Sequence, residues 1–167
     1  MQADSARQFE TQIQEHRKIL YKICNVYCAN PEDREDLAQE MLAQLWRAYS
    51  SFDGRCRFST WMYRVALNTA ITFVRREFAR KRHVVSVEER LLASVPAREE
   101  GSEELRMLYA LIDGLDPLNK AMALLYLDGN SYQEISDVLG ITPTNVATKL
   151  NRLKENLKER LERTGVR

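Results

Sequence analysis

The chain is 167 residues long, 44% hydrophobic and 29% charged, with a formal net charge of +1, an ordinary composition for one or two small soluble domains. No apolar run approaches the roughly 18 residues a bilayer span needs, the opening MQADSARQFETQ lacks the apolar core of a secretion signal, and three cysteines without such a signal fit the reducing cytoplasm better than a disulfide framework. Only six Gly and four Pro interrupt long 3.6-residue periodicities, so the fold class expected is all-α.

A first helix is predicted over about Ser5 to Cys28, where Phe9, Ile13, Leu20, Cys24 and Tyr27 fall on one stripe with Ile19 and Ile23 beside it. Asn30-Pro31 interrupts that pattern, and Asn30 can cap a second helix that begins at Pro31. The second helix is expected to turn Leu37, Met41, Leu42, Leu45 and Trp46 inwards and to end near Tyr49. Its early acids suit the positive end of the helix dipole. Ser50 to Arg57, with Asp53-Gly54, is a predicted loop. A third helix should run from Phe58 to Arg82, with Phe58, Met62, Val65, Thr69 and Phe73 buried and Arg64, Asn68, Thr72, Arg75 and Arg76 on a polar strip. Three helices with one apolar stripe each make a domain of about 80 residues, assigned here to 1–83.

Periodicity dissolves across residues 84–102, the predicted flexible linker. A second helical domain, 103–167, follows. Its helices are predicted at Glu103 to Asp113, at Pro117 to Leu127 behind the cap Asp116, at Tyr132 to Leu139, and from Pro143 past Leu157. Ser131 and Glu134 have the spacing of a capping box, Gly140 suits a left-handed turn position, and Thr142 can cap the last helix. Leu118, Met122, Leu125 and Tyr126 are expected in the core rather than at an interface.

The last two helices have the form of a helix-turn-helix. Val146, Leu150, Leu153 and Leu157 should face Ile135, Val138 and Leu139, leaving Thr144, Asn145, Thr148, Lys149 and Arg152 outward. Asn, Lys and Arg at the start of such a helix can pair with base edges in the major groove. Thr142, Thr144 and free backbone N–H groups suit phosphates. The bland alternative is a helical hairpin whose polar face meets only water.

Charge is distributed unevenly. Arg75, Arg76, Arg80, Lys81 and Arg82 stand against Glu77 alone, and residues 142–167 are also rich in Lys and Arg, whereas Glu32, Asp33, Glu35, Asp36 and Glu40 stand against Arg34. Two basic patches and one acidic patch point to a polyanion partner and a separate protein partner. Cys24 and Cys28 are one helical turn apart, yet no further ligand pair has zinc-site spacing, so both are expected to be core cysteines. Redox sensing through Cys24, Cys28 or Cys56 is the side alternative. No nucleophile–base constellation, phosphate loop or dinucleotide motif occurs. Neither an enzyme, a metal site nor a cofactor is expected.

Three segments in order, PEDREDLAQEMLAQLWRAYSSFD, FSTWMYRVALNTAITFVRR and LDPLNKAMALLYLDGNSYQEISDVLGITPTNVATKLNRLKENL, give the chain a resemblance to the sigma-70 family of bacterial RNA polymerase initiation factors. It resembles specifically the short extracytoplasmic-function group, which keeps only regions 2 and 4. The resemblance implies that Asp36, Gln39, Glu40 and Arg47 dock on the clamp helices of the largest polymerase subunit. It implies that Phe52, Arg57, Trp61, Tyr63, Asn68, Thr72, Arg75, Arg76 and Arg80 engage the promoter −10 element as duplex and melted strand. Trp61 could equally serve packing alone. It further implies that Thr142, Thr144, Asn145, Thr148, Lys149 and Arg152 read the −35 duplex, that the second domain touches the polymerase flap, and that an anti-sigma factor holds the protein, in some cases at the membrane. The family commonly has Asp at the place of Thr72 and Gly-Thr-Val-Lys-Ser-Arg at the place of Thr144 to Lys149. Shape is kept there while the reading residues differ.

The competing expectation is a dimeric helix-turn-helix regulator on a two-fold operator, which would need paired half-sites and no polymerase. A purely protein-binding helical adaptor would leave the basic run from Arg75 without a task.

Overall fold

The computed structural model describes residues 2–84 and 101–165, and the chain divides into two compact units, Met1–Glu99 and Glu100–Arg167. Every regular element among the described residues is an α-helix, so the protein is all-α. The predicted linker falls outside the described residues except at its ends.

The first unit holds α1 (Gln2–Glu15), α2 (Arg17–Tyr27), α3 (Pro31–Tyr49) and α4 (Phe58–Val84). The single first helix predicted from sequence is thus two. At His16 the backbone turns to φ −110°, ψ 13°, and Ile19 N–H bonds back only three residues, to His16 O at 3.0 Å. His16 Nδ1 lies 2.9 Å from Gln12 O, and its ring sits 5.3 Å from that of Phe58. A side chain that competes for the Gln12 carbonyl and packs sideways breaks the helix where no Pro or Gly marks it. α3 starts as expected: Asn30 accepts from Asp33 N–H at 2.7 Å, with Pro31 at the first position. Such a cap contributes about 1 kcal/mol.

The core of this unit is Ile23, Leu37, Met41, Leu45, Met62 and Leu67, all essentially inaccessible. α4 packs against both α2 and α3, and that double contact buries more of it than one stripe. Trp61, Tyr63, Ala66, Leu67 and Ala70 join the expected Phe58, Met62, Thr69 and Phe73 inside, while Val65 is half-buried. Two inward predictions on α3 need correcting. Leu42 is 38% and Trp46 48% exposed, because both lie beyond the edge of the stripe that meets α2 and α4.

The second unit holds α5 (Glu103–Asp113), α6 (Pro117–Leu127), α7 (Tyr132–Leu139) and α8 (Pro143–Arg163). Local chemistry sets each start. Ser102 accepts from Leu105 N–H at 3.3 Å and Asp116 from Asn119 N–H at 3.0 Å. Ser131 and Glu134 form the full capping box, at 3.1 Å and 2.7 Å. Gly140 ends α7 at φ +69°, a conformation that costs glycine nothing. Ile112, Met122, Leu125, Ile135, Val138, Val146, Leu150 and Leu153 make the core, with Leu118, Leu139 and Leu157 half-buried around it. Tyr126, expected inside, is 40% exposed. Its ring lies flat beneath Lys154 Nζ, 4.3 Å away, so it pairs with a cation at the surface rather than filling the core.

Candidate nucleic-acid and protein interfaces

On α3 the exposed face carries Asp36, Gln39 and Arg47, with Glu40 half-buried at its margin and Leu42 and Trp46 along the opposite edge. The apolar pair was missed as surface because its residue types read as core. Its position one step outside the Leu37-Met41-Leu45 stripe was the available signal.

α4 presents Arg64, Asn68, Thr72 and Arg75 to solvent on the side away from its core residues. Arg76 is exposed but engaged: Nη2 donates to Glu40 Oε2 at 2.7 Å and Nη1 to Oε1 at 3.2 Å. That carboxylate raises the Arg76 pKa still further, and the guanidinium carbon also lies 5.6 Å from the Phe73 ring centre. Arg80 pairs with Glu77 at 2.7 Å on its own helix.

The loop between α3 and α4 is ordered by short bonds. Ser51 N–H and Phe52 N–H donate to Ala48 O and Tyr49 O at 2.9 and 3.1 Å, and Arg55 N–H donates to Asp53 Oδ1 at 3.1 Å. Gly54 takes φ +76° at the tip, with open space where a Cβ would stand. Phe52 is half-buried between aromatic rings, 5.6 Å from Phe58, 5.2 Å from Trp61 and 6.5 Å from Tyr49. Arg57 is exposed at the start of α4, where its carbonyl accepts from Trp61 N–H at 3.1 Å. Trp61 is 6% and Tyr63 2% exposed. As packed, both rings are core, and neither offers a face to a base. Phe52, Arg57, Asn68, Thr72, Arg75, Arg76 and Arg80 therefore remain the accessible members of the predicted −10 set.

At the helix-turn-helix, Thr142 Oγ1 accepts from Asn145 N–H at 3.2 Å, so Thr142 is spent as a cap. Pro143 has no N–H, which leaves that of Thr144 as the remaining first-turn donor for a phosphate. Thr144, Asn145, Thr148 and Arg152 are exposed, and Thr148 Oγ1 donates to Thr144 O at 3.1 Å. Asn151, not singled out from sequence, is exposed three residues beyond Thr148 on the same outer face, as helical spacing allowed. Lys149 is half-buried instead. With Arg152 it lines a polar groove closed by Asp116, Asn119, Asn156 and Arg160. Lys154 has a raised pKa, first through its hydrogen bond to the Tyr126 hydroxyl.

Cys24 and Cys28 are buried and Cys56 is half-buried, and none of the three is in a disulfide. Burial pushes the Cys24 thiol up to about 11 against a smaller opposing pull from Arg34, and the thiol faces Arg34 O at 3.5 Å. A protonated, enclosed sulfur is a poor metal ligand and a poor nucleophile. Among the described residues no cluster of three His, Cys, Asp or Glu side chains could hold a metal ion, and no helix is long and apolar enough to cross a membrane.

Family models of known proteins match both units: sigma-70 region 2 over residues 12–80 and sigma-70 region 4 over residues 105–157. The ECF RNA polymerase sigma factor SigW of Bacillus subtilis is 26% identical over 158 residues, covering 87% of this chain and 84% of its own. The ECF RNA polymerase sigma-E factor of Escherichia coli K12 is 31% identical over 142 residues, covering 78% of this chain and 74% of its own. The sigma factor RpoE of Bartonella quintana, solved in complex with the anti-sigma factor NepR, shares the fold at a TM-score of 0.71 and 18% identity, over 93% of this chain and 98% of that one.

Proposed function

We infer the division of labour within this protein from one premise: the chain belongs to the extracytoplasmic-function group of the sigma-70 family, and is a sigma factor that directs RNA polymerase to promoters. It is not an enzyme; chemistry belongs to the polymerase it guides. The alternative of an operator-binding dimer has no comparable support.

The first unit, α1 to α4, binds core polymerase and the −10 element. The exposed α3 face with Asp36, Gln39, Glu40 and Arg47 docks on the clamp helices of the largest subunit. The strip Asn68, Thr72, Arg75 and Arg76 follows the −10 DNA, and Phe52 and Arg57 at the α3–α4 loop meet its opened strand, assisting melting. Aromatic and cationic groups suit unstacked bases and their backbone. The second unit, α5 to α8, reads the −35 duplex through Thr144, Asn145, Thr148 and Arg152, with Thr142 holding the helix start and Lys149 placed for the backbone. It also touches the polymerase flap. An anti-sigma factor restrains the protein in the cytoplasm, at the membrane where that partner is itself anchored.

The observation that carries this reading is the polar strip Arg64, Asn68, Thr72 and Arg75, exposed along a helix whose other sides are core. Packing within the unit leaves these polar side chains to solvent. The test mixes the purified chain with core polymerase and a promoter library and maps the transcribed starts. Starts should share two unlike elements upstream, near −10 and −35. A chain that fails to bind core polymerase, or starts lacking a common −10 element, overturns the assignment.

A further inference from the structure

The Arg76–Glu40 pair joins two residues assigned above to different partners, one to DNA and one to polymerase. The sequence separates them by 36 positions, and the fold brings them together across the α3–α4 contact. Their geometry is two-point: each carboxylate oxygen accepts from a different guanidinium nitrogen, at 2.7 and 3.2 Å. Planar, two-point recognition is what Arg also uses for a phosphate or a guanine edge. The same fork therefore cannot serve Glu40 and a nucleic acid at once, and the carboxylate charge beside it repels a phosphate.

We propose that Glu40 is a positioning residue for DNA capture: in the free protein it occupies the Arg76 fork, and docking of α3 on polymerase takes the carboxylate away and releases Arg76 to the −10 DNA. This rests on the assignment of α3 to polymerase and of α4 to DNA. Both side chains are partly exposed, Arg76 more than half and Glu40 about a third, so the pair is reversible and its hold is modest. An ion pair of this exposure shifts an equilibrium by about two- to fivefold. That is enough to bias DNA capture towards the polymerase-bound form, and too little to lock the free one. Nearby acids do not substitute for Glu40. Glu77 also faces Arg76 electrostatically but spends its carboxylate on Arg80 at 2.7 Å.

The test uses a fluorescently labelled forked DNA that carries the −10 region of a promoter recovered by start mapping. Its affinity is measured at low salt for the free full-length chain and for holoenzyme assembled with saturating core polymerase. Glu40→Gln should tighten binding by the free chain about two- to fivefold, and the gain should be smaller in holoenzyme, where the carboxylate has already left Arg76. Arg76→Gln should weaken binding in both settings, and adding Glu40→Gln to it should restore nothing. Glu35→Gln, which removes the same charge from an exposed site on α3, should give less gain than Glu40→Gln. Equal gain from both, or weaker binding by Glu40→Gln, overturns the proposal while leaving the interfaces intact. Holoenzyme binding unmoved by Arg76→Gln overturns instead the placement of α4 on DNA.

Discussion

Arg160, near the end of α8, reaches back to α5 and donates to Gly114 O at 3.3 Å and to Leu111 O at 3.5 Å. It thereby satisfies carbonyls left open where α5 ends, with a cation at the negative end of the helix dipole. Gly114 has φ −78°, which any residue adopts, so glycine is needed there for space: a Cβ would overlap the Arg160 guanidinium.

Two opposing effects follow for Gly114→Ala. Displacing the end of a flexible Arg forfeits two long, partly solvated hydrogen bonds, about 1 kcal/mol together. Restricting the unfolded chain returns about 0.4–1 kcal/mol. The net change in stability should lie within about 0.5 kcal/mol of zero. Arg160→Ala alone should cost about 1 kcal/mol, and should cost nothing further in the Gly114→Ala background. Denaturant unfolding of the four proteins checks this; fully additive losses would show that the pair is not coupled.

Trp61→Ala should destabilise the first unit by about 3–5 kcal/mol, since it empties a buried site between Tyr49, Phe52 and Phe58. Trp61→Phe should recover much of that loss. If Trp61 acted chiefly on DNA, thermal unfolding would barely move while open-complex formation failed.

Base-reading and backbone-holding residues should separate in their response to sequence and salt. Arg75→Ala should weaken holoenzyme binding evenly across promoters and lower the slope of log affinity against log salt by about 1. Asn145→Ala or Arg152→Ala should act mainly at individual −35 positions, with about 1–3 kcal/mol lost per two-point contact. A uniform loss from Asn145→Ala across all −35 variants would remove it from the base-reading set.

Cys24 should resist thiol reagents at pH 8 in the folded protein, while half-buried Cys56 reacts first. The sign of its pH dependence follows from a pKa raised by burial, from 9.0 to about 11. Below pH 9 both folded and unfolded chains hold the proton and stability is unaffected. Between about 9 and 11 the unfolded chain loses it first, so stability falls as pH rises. Cys24→Ala should flatten that alkaline loss in unfolding curves; an unchanged slope would exclude Cys24 as its source.

Helix boundaries were legible wherever a side chain and a backbone group only three residues apart decide them. Asn30, Asp116, Ser131 with Glu134, and Thr142 all cap as their spacing foretold, and Pro31, Pro117 and Pro143 stand at first positions. The break at His16 was not legible, since it depends on packing against Phe58, which lies 42 residues further along the chain. Burial was legible along stripe centres and not at their edges, where Leu42 and Trp46 are exposed although their residue types are those of a core. The strip from Arg64 to Arg75 was readable as a face. That Arg76 within it is already held by Glu40 is a tertiary fact, invisible to any local pattern.

The aromatic seat of Phe52 gives the α3–α4 loop a division between root and tip. The root is fixed when the unit folds, so the entropy of ordering it is lost then and need not be met again when a ligand arrives. The tip, Asp53 to Arg55, is exposed, and a Cβ on Gly54 would meet open space. Substitutions at Asp53 and Arg55 can therefore change what the loop meets at little cost to the fold beneath it, while Gly54 is held to glycine by its φ of +76°.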